Sequence, residues 1–373
     1  MVNDENVDAI ISEIAGLDDD QISPTLYDTY SENLRKAVDQ VFKRDNNSGM
    51  SDQLRANVSR FAAYKAMNIT KEVRGELGND LDKAAHILRT ANRTQATEYN
   101  TTISRCRTAK QFEQFNSPDN LRLFPNLRWL PSRSADPRES HMLFYNNVWA
   151  KDDDFWNENT PGSLWNCKCD WEETDDPVTR GNPQGNKSAK GLNGNPEKTG
   201  KVFSEDHPYY NINIEALKGD NIAWYELLKA DVSSYMPDYV SNEGGLLLSN
   251  LARMKEGRLN RNEREKFAKE HAMCLALAKN NYRIVHLETV EGRYDITING
   301  HAADLKQLSS SNNIIKKAKH AIREQGAELV IFEFTAFDSN HLDKLEDLRQ
   351  RGVKVIWYES DKPDILHYIN ASI

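Results

Sequence analysis

The sequence has few cysteines and no long apolar run. Its 373 residues contain four cysteines, too few for a disulfide scaffold, and Cys167 and Cys169 lie too close together to bridge readily. A reducing compartment is therefore expected. No run of about eighteen apolar residues occurs, so we expect no membrane-spanning segment. The first residues lack the basic start and apolar core of a signal peptide, so no export signal is expected there.

Hydrophobic residues are also scarce, at 38% of the chain, and the formal net charge is −9. This charge argues against one large surface that coats nucleic acid, although a local basic site remains compatible with it. The length indicates two or three domains. The composition favours soluble domains joined by polar segments.

Residues 1–115 are predicted to form a helical region. Apolar residues recur at helical spacing within 30–42 and 58–73, and Asp80 is a candidate start for a helix over 81–115. Neither a glycine-rich phosphate loop nor a catalytic serine elbow occurs there. A packed bundle or a long antiparallel pair of helices fits this pattern.

Three segments of different composition follow the helical region. Residues 116–174 hold five of the seven tryptophans, several prolines and a Cys-x-Cys pair, which indicates a small, irregular Cys/Trp-rich module. Residues 175–212 are rich in Gly, Asn, Pro and Lys, and they are predicted to form an exposed, flexible linker. Residues 213–261 are expected to form short lead-in helices.

Residues 262–373 have the clearest pattern. The predicted order is α-β-β-β-α-β-α-β, an α/β domain with a mixed sheet and helices on its faces. The helices are expected at 262–279, 313–325 and 341–351, and the strands at 282–287, 293–298, 302–307, 328–334 and 353–358.

A hairpin in this region carries the strongest chemical signal. Asn299-Gly300 is a strong signal for a two-residue turn between extended runs. Pairing Ile298 with His301 puts Asp295 opposite Asp304, and Lys306 projects from the same face of the sheet as Asp304. Facing carboxylates repel, and a divalent cation between them would remove the repulsion. The group therefore suits a metal-dependent phosphodiesterase, in which Mg²⁺ or Mn²⁺ activates water and the lysine neutralises the phosphate.

The strand order together with Asp295 and Asp304-x-Lys306 resembles the PD-(D/E)XK nuclease superfamily. Within it, residues 262–358 resemble the tRNA nuclease domains at the C-termini of contact-dependent growth-inhibition toxins. This resemblance rests on Glu270 with Leu277-Ala278, on RYDITINGHAADLK and on NNIIKKAKHAIREQGAELVIFEF. It implies tRNA cleavage and an immunity protein as a partner. Cleavage of DNA is an alternative, because sequence does not separate the two substrates.

The same resemblance implies further site residues. A glutamate on the first helix often completes the metal site in such domains, and Glu270 is the first choice, with Glu263 second. Gln325, at the end of the second helix, would reach the scissile phosphate. A basic side of that helix would bind an RNA backbone, with a solvated charged face as the alternative. Its residues are Lys316, Lys317, Lys319, His320 and Arg323.

A second set of motifs lies in residues 136–169, which contain DPRESH, DFW and WNCKC. Cys167, Cys169 and nearby His141 would supply three ligands for a structural Zn²⁺, with Asp136 or another residue as the fourth. The alternative is a pair of reduced thiols packed among tryptophans, since Cys-x-x-Cys is the usual zinc spacing.

The motif set strongly resembles the phage Mu F-like minor head protein family, also called the phage head morphogenesis domain, over residues 50–174. The resemblance implies a capsid component of a tailed phage that binds portal or capsid proteins. The whole chain would then be a virion protein whose C-terminal nuclease toxin acts in the host bacterial cytoplasm. In a purely structural alternative, the C-terminal domain is an inactive nuclease fold.

Overall fold

The computed structural model describes residues 6–43, 49–183, 185 and 187–371. They divide into two compact units, Met1–Asn213 (unit 1) and Ile214–Ile373 (unit 2). Within the described residues, no helix is long and apolar enough to cross a membrane.

Unit 1 begins with long helices and continues with short helices and strands. Its helices are α1 (Val7–Ala15), α2 (Pro24–Phe42), α3 (Gly49–Glu76), α4 (Leu81–Phe115), α5 (Pro118–Leu123), α6 (Glu139–Met142), α7 (Phe155–Glu158) and α8 (Pro196–Thr199). Its strands are β1 (Asn126–Leu130), β2 (Val148–Ala150) and β3 (Asp170–Thr174).

The long helices begin where side chains cap them. The hydroxyl of Ser23 accepts from the N–H of Leu26 at the start of α2, and the carboxylate of Asp80 accepts from the N–H of Lys83 at the start of α4. These bonds satisfy backbone donors that the first turn of a helix leaves unpaired. Helices α2, α3 and α4 pack on one another. The predicted helical region is thus confirmed, including the bounds of α4.

The Trp-rich segment forms a compact aromatic core, although its elements are short. Strands β2, β1 and β3 form an antiparallel sheet in that spatial order. One cluster buries Trp129, Trp149, Trp156 and Trp171 together with Cys169. Because the aromatic rings fill the space around β1, a small core suffices for this irregular module.

The prediction of a flexible linker over 175–212 is wrong for its second half. Leu192, Val202 and Phe203 are fully buried, and the ring of Phe203 stacks on that of Phe61 with centroids 4.0 Å apart. Residues 175–212 therefore belong to unit 1, and the boundary between the units lies at residues 213–214.

Two buried polar side chains explain why this glycine-rich segment packs. Arg105 is fully buried and donates to the carbonyl oxygens of Leu192 and Gly194 at 3.0 and 2.8 Å. The side-chain oxygen of Asn57 accepts from the N–H groups of Val202 and Phe203 at 2.9 and 2.8 Å. The amide nitrogen of Asn57 donates to the carbonyl of Phe203 at 2.9 Å. The segment is thus held through its backbone as well as through its buried side chains, and composition does not reveal the backbone contacts.

Unit 2 is built on one eight-stranded mixed sheet. Its helices are α9 (Leu217–Asp220), α10 (Ile222–Lys229), α11 (Leu251–Glu256), α12 (Arg261–Lys279), α13 (Ile314–Arg323) and α14 (Ser339–Gln350). Its strands are β4 (Tyr235–Val240), β5 (Leu246–Asn250), β6 (Arg283–His286), β7 (Ile296–Ile298), β8 (His301–Leu308), β9 (Leu329–Phe334), β10 (Val355–Glu359) and β11 (His367–Ile369). The spatial order is β11-β10-β9-β8-β7-β6-β5-β4, with parallel pairs β5–β6, β8–β9 and β9–β10.

The predicted order α-β-β-β-α-β-α-β is confirmed as the run from α12 to β10. The expectation of lead-in helices over 213–261 is wrong in part, because β4 and β5 form the edge of the same sheet. The run Leu246-Leu247-Leu248 pairs with β6 and is buried. Pro237 lies in β4, the outermost strand, where a missing N–H is tolerated.

Two apolar clusters cover the two faces of this sheet. Met273, Cys274 and Leu277 of α12 pack against one face, on which Ile296 and Leu305 also lie. Helices α13 and α14 cover the opposite face around Val330 and Phe332. Since side chains alternate along β8, Asp304 and Lys306 project toward the face that α13 and α14 cover.

Candidate active site and metal centre

The hairpin of β7 and β8 has the predicted turn and register. Asn299 and Gly300 have φ values of 48° and 89°, as a two-residue turn with two left-handed residues requires. Ile298 pairs with His301, and Ile296 pairs with Ala303. One step further along the register, Asp295 lies across from Asp304.

Asp304 is a fully buried carboxylate beside a second carboxylate. The ammonium group of Lys306 contacts its Oδ2, and the carboxylate of Asp295 is its other polar neighbour. Burial first, and then the hydrogen bond and charge of Asp295, raise the pKa of Asp304 to about 7 against the opposing effect of Lys306. A cation bound between the two aspartates would favour the ionised form.

Lys306 connects the two aspartates to Gln325. Its Nζ lies 4.0 Å from Oδ2 of Asp295 and donates to Oε1 of Gln325 at 3.4 Å. The same Asp295 oxygen accepts from the N–H of Leu305 at 3.0 Å. The structure therefore brings together Asp295, Asp304, Lys306 and Gln325, four of the residues that the sequence singled out.

Glu270 lies on α12 and lines a cleft of about 180 Å³ together with Asp295 and Gln325. Burial alone would raise the pKa of Glu270, but hydrogen bonds from His286 and Arg253 and the charges of Arg253 and Lys266 lower it. Glu270 therefore stays ionised. The structure does not place Glu270, Asp295 and Asp304 in one tight ligand cluster: among the described residues, only a group in unit 1 has three such ligand atoms within 4.8 Å of one another.

Helix α13 has one buried side and one basic side. Ile314, Ala318 and Ala321 are buried against the sheet. The four cationic side chains that the sequence assigned to nucleic-acid binding are exposed: Lys316, Lys317, Lys319 and Arg323. His320, by contrast, is half-buried and pairs with Glu324 at 2.8 Å.

The group in unit 1 is His141, Cys167 and Cys169, and it could hold a metal ion. Nδ1 of His141 lies 3.4 Å from Sγ of Cys167 and 3.5 Å from Sγ of Cys169. Hydrogen bonds from Cys169 and His141 lower the pKa of Cys167 to about 4 even though burial opposes them. These contacts favour the thiolate of Cys167, which is the form that binds metals.

A serine orients the histidine of this group. Oγ of Ser163 lies 3.4 Å from Nε2 of His141, so a hydrogen bond between them can orient the ring with Nδ1 on the side of the two sulfurs. Asp136, the suggested fourth ligand, lines the same cleft of about 310 Å³ but lies outside the cluster.

Sequence reasoning missed Ser163, Arg253 and His286. Ser163 follows a Pro-Gly turn with no ligand-like spacing, so only the fold shows its contact with His141. Arg253 lies in a charged stretch typical of exposed helices, yet it is 1% exposed. His286 ends an apolar strand, where a buried histidine has no distinguishing pattern.

Comparisons with known proteins give little further guidance. No protein-family model and no curated protein matches the chain. One solved structure is similar, a CdiA-CT/CdiI toxin and immunity complex from Burkholderia pseudomallei. The match has 18% identity and a TM-score of 0.26, and it covers 31% of this chain and 91% of that chain. At this score, the similarity carries no argument about function.

Proposed function

We propose that unit 2 is a metal-dependent nuclease that cleaves tRNA. The observation that carries the proposal is Asp304, a fully buried carboxylate that lies across from Asp295 and against Lys306. A site that assembles two carboxylates and an ammonium group inside a fold suits metal-assisted phosphodiester hydrolysis. The tRNA preference rests on the resemblance to toxin nuclease domains.

In this mechanism, Asp295 and Asp304 would hold Mg²⁺ or Mn²⁺, which would lower the pKa of a bound water. Lys306 orients the attacking water or neutralises the phosphate. Glu270 assists from α12, and Gln325 binds the scissile phosphate. The exposed cations of α13 contact the RNA backbone, where each neutralised phosphate makes binding more salt-dependent.

The test is degradation of total tRNA and of duplex DNA by the full chain, with and without Mg²⁺. We expect tRNA cleavage that requires the metal and that Asp304→Ala and Lys306→Ala each reduce by at least about 100-fold. Asp364→Ala, at an exposed aspartate, is the matched control and should retain activity. Cleavage of duplex DNA alone would favour a DNA endonuclease, and an inert chain would favour a purely structural role.

We also propose that unit 1 is a minor head component of a tailed phage. The support is the motif set that resembles the Mu F-like family. In this chain, Trp129, Trp156 and Trp171 pack in one cluster with the Cys-x-Cys pair. The chain would be packaged with the head, bind portal or capsid proteins and reach the host cytoplasm, where an immunity protein would bind unit 2. Mass spectrometry of purified particles tests this, and absence of the chain from them would contradict it.

For the metal centre of unit 1, we propose Zn²⁺ in a structural role. Zinc bond lengths of about 2.3 Å to sulfur and about 2.0 Å to nitrogen, at a tetrahedral angle, separate S and N by about 3.5 Å. The observed separations of 3.4 and 3.5 Å are close to this value. Cys167, Cys169 and His141 would thus supply three ligands.

Metal analysis of the full chain, purified without chelator, tests the zinc proposal. We expect about one equivalent of zinc, which Cys167→Ser should remove. Cys106→Ala, at a buried cysteine outside the cluster, should retain it. A wild-type chain that carries no zinc would instead indicate packed, reduced thiols.

A further inference from the structure

A buried charged cluster encloses one side of Glu270. Arg253, at 1% exposure, donates from Nε and Nη2 to Oε2 of Glu270 at 3.2 and 2.8 Å. Nε2 of the fully buried His286 lies 3.4 Å from the same oxygen. The ring of Phe267 lies against both partners, 5.4 Å from the Arg253 guanidinium and stacked on His286 at 5.6 Å. Three elements, α11, α12 and β6, thus fix one carboxylate.

The two oxygens of Glu270 have different surroundings. Oε2 faces three nitrogen atoms. Oε1, within the described part of the chain, contacts the Nζ of Lys266 at 3.8 Å, and the Lys266 side chain is 49% exposed. The residue itself lines the cleft that Asp295 and Gln325 also line. One oxygen is therefore held by buried donors, whereas the contact of the other is longer and made by a half-exposed side chain.

The buried ion pair between Arg253 and Glu270 is not explained by folding stability alone. Burying an arginine and a carboxylate carries a large desolvation penalty, and apolar side chains of similar volume often fold as well or better. Nη1 of Arg253 also lies 3.4 Å from Oε2 of Glu256 and 4.0 Å from Oε2 of Glu263. These two carboxylates help to hold the guanidinium in its position beside Glu270. The guanidinium then presents two donors in a fixed fork.

We propose that Arg253 and His286 are positioning residues of the nuclease site, which fix the carboxylate of Glu270 at the cleft that Asp295 and Gln325 also line. This inference rests on the proposed function of unit 2. Neither residue needs to touch the substrate, because each acts through Glu270.

A double-mutant cycle on the full chain tests the inference. The rate of tRNA cleavage with Mg²⁺ is measured for Arg253→Gln, Glu270→Ala and the double variant. We expect each single variant to lose at least about tenfold, and the double variant to be no slower than Glu270→Ala, because Arg253 has nothing left to position. Arg349→Gln, which breaks only an exposed ion pair with Glu346, is the matched control and should retain the wild-type rate.

A second variant separates positioning from folding. Arg253→Lys keeps the buried charge but loses the paired donors, so it should remain folded by circular dichroism and still lose several-fold in rate. If the two losses multiply in the double variant, or if Arg253→Gln keeps full activity, the positioning role is contradicted while the proposed nuclease function stands. A wild-type chain that leaves tRNA and DNA intact would overturn the proposed function and, with it, the inference.

Discussion

At the scale of single residues, Asp304 is the most constrained side chain of unit 2. Its carboxylate is fully buried, contacts Lys306 and faces Asp295. Because its pKa is raised to about 7, the folded state binds a proton that the unfolded chain releases at lower pH. Without a metal, the ionised residue therefore destabilises unit 2.

The sign of this effect gives a prediction for metal-free protein. In EDTA, the wild-type stability of unit 2 should fall as the pH rises from about 4 to 7 and then level off, because the unfolded carboxyl ionises first. Asp304→Asn should remove this dependence and be more stable than wild type at pH 8 by a few kcal/mol, roughly the size of the pKa shift. Chemical denaturation at several pH values measures both.

The effect of added metal on stability tests the same residue from the other direction. Mg²⁺ or Mn²⁺ should stabilise the wild type at pH 8 but leave Asp304→Asn unchanged, because a ligand stabilises only the state that binds it. The exposed Asp364→Asn serves as the control for removal of one negative charge. A variant that stays as pH-dependent as the wild type would show that Asp304 does not set the profile.

At the scale of elements, the β7–β8 hairpin shows what the sequence predicts well. Its alternation fixes which side chains share a face, and Asn299-Gly300 fixes the turn, so Asp295 and Asp304 could be paired without coordinates. By contrast, the packing of residues 192–203 depends on Asn57 and Arg105, more than 80 positions earlier in the chain. Such long-range polar contacts leave no local pattern in the sequence. The burial of Arg253 against Glu270 could not be predicted for the same reason.

The turn itself can be tested by one methyl group. Gly300 has a φ of 89°, and no atom would lie within 4 Å of a Cβ added to it. Gly300→Ala should therefore destabilise unit 2 by about 1 kcal/mol through backbone strain alone. Gly219 has equally open space without a positive φ, and it lies in α9. Gly219→Ala should therefore be neutral or slightly stabilising. Equal effects at both sites, by thermal unfolding, would contradict the strain argument.

At the scale of the whole molecule, an acidic chain carries one basic helix face. The chain carries a net charge of −9, yet α13 exposes four cations on one side. A local basic face on an acidic protein can bind a polyanion without coating the whole surface.

The integrity of unit 1 depends on its packed C-terminal segment. Asn57→Ala removes three hydrogen bonds to the backbone of residues 202–203, so amide hydrogen exchange over 192–204 should accelerate by at least about tenfold. Asn79→Ala, at an exposed asparagine that bonds within its own helix end, should leave this exchange unchanged. Rapid exchange of these amides already in the wild type would contradict the packed arrangement.

The backbone anchoring of this segment has an evolutionary consequence. Arg105 and Asn57 bind carbonyl and N–H groups, which every residue type except proline offers equally. The exposed side chains of residues 192–203 can therefore vary between homologues while the path of the backbone along unit 1 stays the same. Related chains should thus share little sequence here beyond the buried Leu192, Val202 and Phe203, and still superimpose.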